Sequence, residues 1–521
     1  MIEFKEVTYR FPDGKTALDD ISLRIDEGET AALVGGNGSG KTTLILLLNG
    51  ILKATSGEVS VFGLNPAIEA DAAKLKSKVG IVFQNPDNQL VSTTVEREIA
   101  FSLENMNVSR EEMHARVKES MAFFQLEELR DRLTSALSGG EKQKLALAAV
   151  MISRPDILVL DEPDSYLDES GKRLLDAAVS DLAEKNPKLC IIQITQYAGA
   201  AEKYPRIIAL EKGKLLADGP PDTVYREVRK LYASGIDVPI RYRLERNVDY
   251  VIQIPDEVKH QTVQIRRVRL NNVGYDYGAV DGDFRLESLN YEFRPGKIYG
   301  IVGPSGSGKS TMMQICTRLL EPKKGYVDFG TEHIPAGKLA AVFQHPERQF
   351  FLETVKKELT FGPENIGLKD IDEVLQAAYH KTNLPEEVFA ERNPQTLSGG
   401  EKRRLAFGTV ISMVPDFIFF DEPTCGLDTR SIGHLKYMIM ELKESGAGIV
   451  IISHSGDIIL DLAEEVIELR SGRIAVTMET CEYFRHRDYS GFLSKPDIIL
   501  FQEREFGEVR HFKFSDLRMA L

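Results

Sequence analysis

Two lysines stand in matching settings. Lys41 lies in Gly35-Gly36-Asn37-Gly38-Ser39-Gly40-Lys41-Thr42-Thr43, and Lys309 in Gly303-Pro304-Ser305-Gly306-Ser307-Gly308-Lys309-Ser310-Thr311. Each is a G-x-x-x-x-G-K-[ST] loop. Its glycines let the backbone curl so that successive N–H groups point inward at phosphate oxygens. The lysine adds positive charge near β- and γ-phosphates, and the next hydroxyl, Thr42 or Ser310, is placed to ligate Mg²⁺. Asp161-Glu162-Pro163 and Asp421-Glu422-Pro423 each follow four apolar residues. There the aspartate can reach Mg²⁺ through its water shell, and the glutamate can orient or deprotonate an attacking water. Leu137-Ser138-Gly139-Gly140-Glu141 and Leu397-Ser398-Gly399-Gly400-Glu401 each open a helical pattern. A serine hydroxyl and glycine amides at such a start make a second anion-binding surface.

These groups need strands and helices to hold them, and the chain supplies both sets twice. Gln84 and Gln344, Ser138 and Ser398, and Asp161 and Asp421 are each 260 residues apart (for example 344 − 84). Between lysine and glutamine the second copy is eight residues shorter, because 84 − 41 = 43 whereas 344 − 309 = 35. The extra material matches the polar stretch 65–77, read as a surface excursion. Strands are expected at 2–11, 21–25, 30–34, 79–83, 157–160 and 189–195. The second half repeats them at 268–277, 284–293, 298–302, 339–343, 417–420 and 449–453. Helices follow the phosphate loops at 44–48 and 312–320, with N-terminal dipoles facing the phosphates. Continuous apolar runs alternating with helical periodicity imply mainly parallel sheets covered by helices.

The division this suggests is a first domain at 1–228, a connector at 229–267, a second domain at 268–480 and an extension at 481–521. The connector mixes charge with Ile/Val-rich pieces at 250–254 and 262–265, so it is expected to be structured. The extension, with apolar pieces at 498–501 and 509–514, reads as a small β element. At 521 residues, 42% hydrophobic and 28% charged, the composition is that of a globular protein. The net charge of −14 argues against a surface dominated by nucleic-acid or ribosome binding. Cys190, Cys316, Cys425 and Cys481 are scattered, which suits reduced thiols rather than a disulfide frame or a metal site. The N-terminus leads straight into a strand pattern, so no signal peptide is expected. No apolar run approaches 18 residues, so no membrane span is expected.

Together these motifs resemble the ATP-binding-cassette (ABC) ATPases, over about 210 residues in each half. The resemblance implies an α/β fold: two P-loop NTPase domains of ABC type in one chain. Each would have a mainly parallel sheet core, an antiparallel β subdomain and a helical subdomain. It implies ATP and Mg²⁺ as ligands, and two cassettes paired head to tail. One site would use Lys41, Thr42, Gln84, Asp161 and Glu162, closed by Ser398, Gly399 and Gly400. The other would use Lys309, Ser310, Gln344, Asp421 and Glu422, closed by Ser138, Gly139 and Gly140. Thr42, Gln84 and Asp161, and Ser310, Gln344 and Asp421, would hold the metal. Phe11 and Tyr277 would stack on adenine, and Asp168 and Asp428 match the loop that crosses between cassettes. The family expects a γ-phosphate-contacting histidine after the last buried strand. His454 fits; the first half has Gln196 instead, which can donate a neutral hydrogen bond but carries no charge. Asp164 also replaces the usual small hydroxyl residue, present as Thr424. The Lys309/His454 site is therefore expected to hydrolyse faster.

Phe83-Gln84-Asn85-Pro86-Asp87-Asn88-Gln89 and Phe343-Gln344-His345-Pro346-Glu347-Arg348-Gln349, with the segments that follow, are similar to the energy-coupling factor (ECF) transporter ATPases of cobalt and vitamin uptake. The second copy departs at His345 and Glu347. In that group the segment receives coupling helices of a transmembrane scaffold, which works with a small substrate-binding membrane protein. The resemblance thus implies a fused tandem ATPase at the cytoplasmic face of the cell membrane. Thiamine-precursor uptake is one association of fused members. Two rivals are the tandem ATPase of a sugar or nucleoside importer, and a soluble twin-cassette protein acting on ribosomes or DNA. The first usually lacks the Asn-Pro-Asp-x-Gln loop. The second would carry a basic linker, an iron–sulfur cysteine cluster or a coiled-coil insertion.

Overall fold

The computed structural model describes residues 1–521 except 165, 166, 168, 250–260, 279–284, 345–348, 490 and 521. The expected strand start at 284, the connector piece 250–254, residues 345 and 347 of the second glutamine loop and Asp168 lie outside the described residues. The chain divides into two compact units, one of Met1–Val248 with Asp428–Arg430, the other of Asp249–Leu427 with Ser431–Leu521.

In the first unit six strands form one sheet, in the order Val79–Val82, Ile157–Asp161, Cys190–Ile194, Thr30–Gly35, Arg206–Glu211 and Lys214–Gly219. All neighbours are parallel except the last pair. The central strands read as unbroken apolar runs because both faces are covered. Ile157 and Val159 enter one core cluster, while Leu158 and Leu160 enter another. The first cluster includes Ile2, Leu18 and Val61 from an antiparallel sheet ordered Thr16–Ile25, Ile2–Arg10, Ser56–Val61. The second packs against the helices Val95–Asn105, Arg110–Phe123 and Gly139–Met151. These are the parallel core, β subdomain and helical subdomain expected of the α/β fold.

The second unit repeats the plan. Its sheet runs Leu339–Val342, Phe417–Asp421, Gly448–Ile452, Ile298–Val302, Glu465–Arg470, Arg473–Glu479, again with only the last pair antiparallel. Arg285–Phe293, Val268–Asp276 and Lys324–Asp328 make the antiparallel sheet. Val355–Asn365, Ile371–Thr382 and Gly399–Ile411 are the main helices of the third part.

Three stretches differ from the sequence expectation or sharpen it. The excursion 65–77 is more than surface loop: it forms the helix Glu69–Leu75, whose Leu75 is buried in the first core. Within the connector, Val228–Ala233 and Ile240–Glu245 are helices. Val228, Leu231, Ile236, Val238 and Tyr242 pack with Ala32, Val34, Ile207 and Ala209 of the first sheet. Among its described residues the extension is helical, not a β element. It forms the helices Thr480–His486, Asp497–Phe506 and Phe514–Ala520. Asp497 in the first turn and Gly507 at φ 73° give Asp497–Phe506 ordinary helix ends. Ile498, Ile499 and Gln502 form its buried face. The Gln502 side chain then ties down the next piece through Arg510 N, His511 N and His511 O.

Candidate active sites

Each phosphate loop follows a central strand and leads into a helix, Lys41–Leu46 or Lys309–Cys316. The loops share one backbone form: Gly38 and Gly306 have φ 75° and 74°, and Gly40 and Gly308 have φ 103° and 102°. A β-carbon on Gly35 would meet Leu210 O at 2.5 Å, and one on Gly303 would meet Leu469 O at 2.1 Å. Only glycine fits where the loop turns against the neighbouring strand. Asn37, Ser305 and Ser39 lie within these loops, Ser39 and Ser307 being buried. Lys41 Nζ donates to Gly35 O (2.7 Å) and Gly36 O (3.0 Å). Lys309 Nζ donates to Gly303 O (2.8 Å) and Pro304 O (2.9 Å). Each ammonium is thus held at the mouth of its loop by two carbonyls, and burial lowers the Lys41 pKa.

The acidic pairs come to the same place because the strands Ile157–Asp161 and Phe417–Asp421 run parallel to the loop strands, one strand away, and end at the same edge of the sheet. Thr42 Oγ1 donates to Asp161 Oδ2 (3.1 Å), and Ser310 Oγ donates to Asp421 Oδ2 (2.8 Å). Such a hydroxyl–carboxylate pair offers hard oxygen ligands. Among the described residues no three His, Cys, Asp or Glu side chains form an all-protein metal cage. The hydroxyl and carboxylate suit Mg²⁺, which takes one or two protein oxygens plus phosphate and water.

The glutamates are held differently in the two units. Glu162 is gripped by two amides: Gln84 Nε2 donates to Oε2 (2.6 Å), and Gln196 Nε2 donates to Oε1 (2.5 Å). Gln196 Nε2 also reaches Asn37 Oδ1 (3.1 Å), linking the glutamate to the phosphate loop. In the second unit Ser453 Oγ donates to Glu422 Oε2 (3.4 Å), and His454 Nε2 lies 3.7 Å from Oε1. Burial raises both carboxyls, Glu162 to about 7 against the weaker pull of the Gln196 amide and Lys41. Like charge on Asp421 pushes Glu422 further in the same direction.

Ser138 and Ser398 cap the helices Gly139–Met151 and Gly399–Ile411, each in a capping box with Glu141 or Glu401. Ser138, Gly139, Ser398 and Gly399 are exposed; Gly140 is half-buried and Gly400 buried. Phe11 and Tyr277 are exposed, 37% and 43%, each set edge-on against a neighbouring ring, Tyr9 or Tyr275. Thr311 Oγ1 hydrogen-bonds Tyr277 Oη, while Thr43 is buried.

One participant left no motif for sequence reasoning to find. Arg403, buried on the helix opened by Ser398, donates to Glu422 O (3.0 Å) and Gln344 O (2.7 Å). One guanidinium thereby pins the backbone of both the glutamine loop and the acidic turn. The matching residue in the first unit, Gln143 (403 − 143 = 260), is fully buried, with neither amide atom hydrogen-bonded among the described residues.

A phosphate loop, an acidic turn and a glutamine loop, repeated on one sheet topology, agree with comparison to known proteins. A family model described as ABC transporter matches residues 18–165 and 286–425. The chain belongs to the ABC transporter family. It is 31% identical over 550 residues to a "Putative ABC transporter ATP-binding protein" of Caldanaerobacter subterraneus, covering 97% of this chain and 96% of that one. It is 29% identical to the "Putative HMP/thiamine import ATP-binding protein YkoD" of Bacillus subtilis, covering 94% and 92%. The solved archaeal ribosome recycling factor aABCE1, in complex with ribosomal stalk protein aP1, matches at a TM-score of 0.63 over 96% of this chain and 98% of that one. At 21% identity that likeness shows the fold alone. The chain is therefore a tandem ABC ATPase, with ATP as the ligand of its cassette domains. Among the described residues no helix is long and apolar enough to cross a membrane.

Proposed function

We propose that the chain is the ATP-hydrolysing subunit of an energy-coupling factor type importer for a vitamin, a vitamin precursor or a transition-metal ion. It would act peripherally at the cytoplasmic face of the membrane, with a transmembrane scaffold and a small substrate-binding membrane protein. The observation that carries this is the apolar surface beside the two glutamine loops. Val91 and Phe101 in the first unit, and Phe351 and Phe361 in the second, are exposed, and the last two rings pack edge-on at 5.0 Å. Exposed aromatics clustered next to a catalytic loop suit a partner's apolar helix. The similarity to a relative named for HMP/thiamine import, over most of both chains, supports the same reading. Co-purification from detergent-solubilised membranes tests it. The wild type is expected to retain an integral membrane protein, which Phe351→Ser with Phe361→Ser loses. No membrane partner with the wild type would contradict the proposal.

For hydrolysis, the loop amides with Lys41 or Lys309 would bind the β- and γ-phosphates. Thr42 with Asp161, and Ser310 with Asp421, would hold Mg²⁺, which supplies charge neutralisation on the phosphate oxygens. The exposed serine–glycine turns would add a second phosphate-binding surface, and Phe11 and Tyr277 are proposed to stack on adenine. Gln84 and Gln344 would order the water. Glu162 or Glu422 would take the water proton as its oxygen bonds the γ-phosphorus, while the bond to the ADP oxygen breaks. The products are ADP and phosphate.

His454 would donate to the γ-phosphate in the second unit. In the first, Gln196 already spends its amide N–H groups on Glu162 and Asn37. A lost transition-state donor costs about 10²–10³ in rate. His454→Ala is therefore expected to remove most phosphate release from the full chain, and Gln196→Ala little. The reverse pattern in steady-state turnover would contradict the proposed asymmetry.

A further inference from the structure

His454 follows the strand Gly448–Ile452, and each of its ring nitrogens faces a different neighbour. Nε2 faces Glu422 Oε1 at 3.7 Å. Nδ1 lies 2.9 Å from the carbonyl oxygen of Phe492, 38 residues further along, in the C-terminal extension. A carbonyl can only accept, so Nδ1 carries a proton, and the ring that donates to the γ-phosphate is the imidazolium, with its second proton on Nε2. The backbone around this contact is stitched on both sides. Ser494 N donates to His454 O, Gly456 N donates to Ser494 Oγ, and Asp497 N donates to Asp457 Oδ1, each at 2.9 Å. A β-carbon on Gly456 would fall 2.0 Å from Ser494 O, so a glycine is what lets the two stretches approach.

The extension is itself firmly seated. Phe492 and Leu493 are buried, Thr480 Oγ1 donates to Ala463 O (2.7 Å), and Tyr483 Oη donates to the fully buried Glu468 (2.8 Å). We propose that residues 491–497 are a positioning clamp for His454, fixing the orientation and place of its ring and so setting the rate of hydrolysis in the second unit. The first unit has no need of this device. Gln196 has no ring to orient, and near it Asp237, from the segment after the first sheet, accepts the backbone N–H of Ala198 (3.1 Å). The inference rests on the proposed role of His454 at the reacting end of that site.

The test uses the full chain carrying Glu162→Gln, so that remaining turnover belongs to the second unit. Gly456→Ala and Ser494→Ala are expected to lower kcat roughly tenfold to hundredfold with little change in KM for ATP. Ser494→Thr, which keeps the oxygen, is expected to restore it. ¹⁵N-histidine NMR of the wild type, with His454 identified by its loss in His454→Gln, is expected to show a proton on Nδ1. Full kcat in Gly456→Ala and Ser494→Ala while His454→Ala is inactive would overturn the clamp alone. So would a neutral wild-type ring protonated on Nε2. Full kcat in His454→Ala would overturn both the clamp and the role of the histidine.

Discussion

Glu162 carries the clearest electrostatic consequence of the site. It is only 7% exposed, and burial lifts its carboxyl from 4.5 to about 7. The folded protein therefore holds this proton more tightly than the unfolded chain does. The stability this contributes is complete below pH 4.5 and is lost as pH rises through about 7. Replacing Glu162 by Gln removes the buried charge. In denaturant titrations without nucleotide, Glu162→Gln is expected to stabilise the first unit by about 1–3 kcal/mol at pH 8, the gain fading towards pH 4.5. A gain independent of pH would contradict this. The residues that grip the site were largely legible from sequence: Lys41, Thr42, Asp161, Glu162 and Gln84 stand in motifs whose spacing states their chemistry. The exchange of histidine for Gln196 was visible too. Its double hold on Glu162 and Asn37 was not, because an amide's partners depend on rotamers that no spacing encodes. Arg403 escaped for a related reason: it bonds backbone carbonyls, which leave no mark in the side-chain pattern.

The elements around the glutamine loops share a device that sets their geometry. Glu98 is buried on the helix Val95–Asn105 and accepts from Val91 N (3.0 Å) and Ser92 N (2.5 Å). Glu358, 260 residues later, accepts from Phe351 N and Leu352 N, both at 2.6 Å. A helix thereby pins the exposed segment proposed to meet the membrane partner. Glu358→Ala would leave two backbone N–H groups without their carboxylate. It is expected to cost about 1–3 kcal/mol and to weaken co-purification of the partner, while the detergent-free ATPase rate stays within about twofold. Unchanged partner retention would contradict the role given to this helix. Central strands were legible because five buried residues in a row leave little else for the chain to be. The C-terminal extension was misread because Ile498 to Phe501 is too short to show a period. Its better signals were the flanking ones, Pro496-Asp497 before the helix and Gly507 after it. The seating of residues 229–248 on the first unit was also hidden, since the apolar side chains that achieve it are spread among charged ones.

For the whole molecule, duplication is what made the fold readable: a motif seen once is a local turn, whereas three motifs repeated at one offset describe a domain. Duplication also isolates the differences, since Gln196 against His454 and Gln143 against Arg403 stand out on otherwise equal sheets. The central claim is that both units bind ATP and that hydrolysis resides mainly at Glu422. It is tested most directly by steady-state phosphate release from the purified full chain with Mg²⁺ and ATP, comparing the wild type with Glu162→Gln, Glu422→Gln and the double variant. The double variant is expected to fall by about 10²–10³, Glu422→Gln nearly as far, and Glu162→Gln by only a few-fold. Wild-type turnover in the double variant, or a greater loss from Glu162→Gln than from Glu422→Gln, would contradict it.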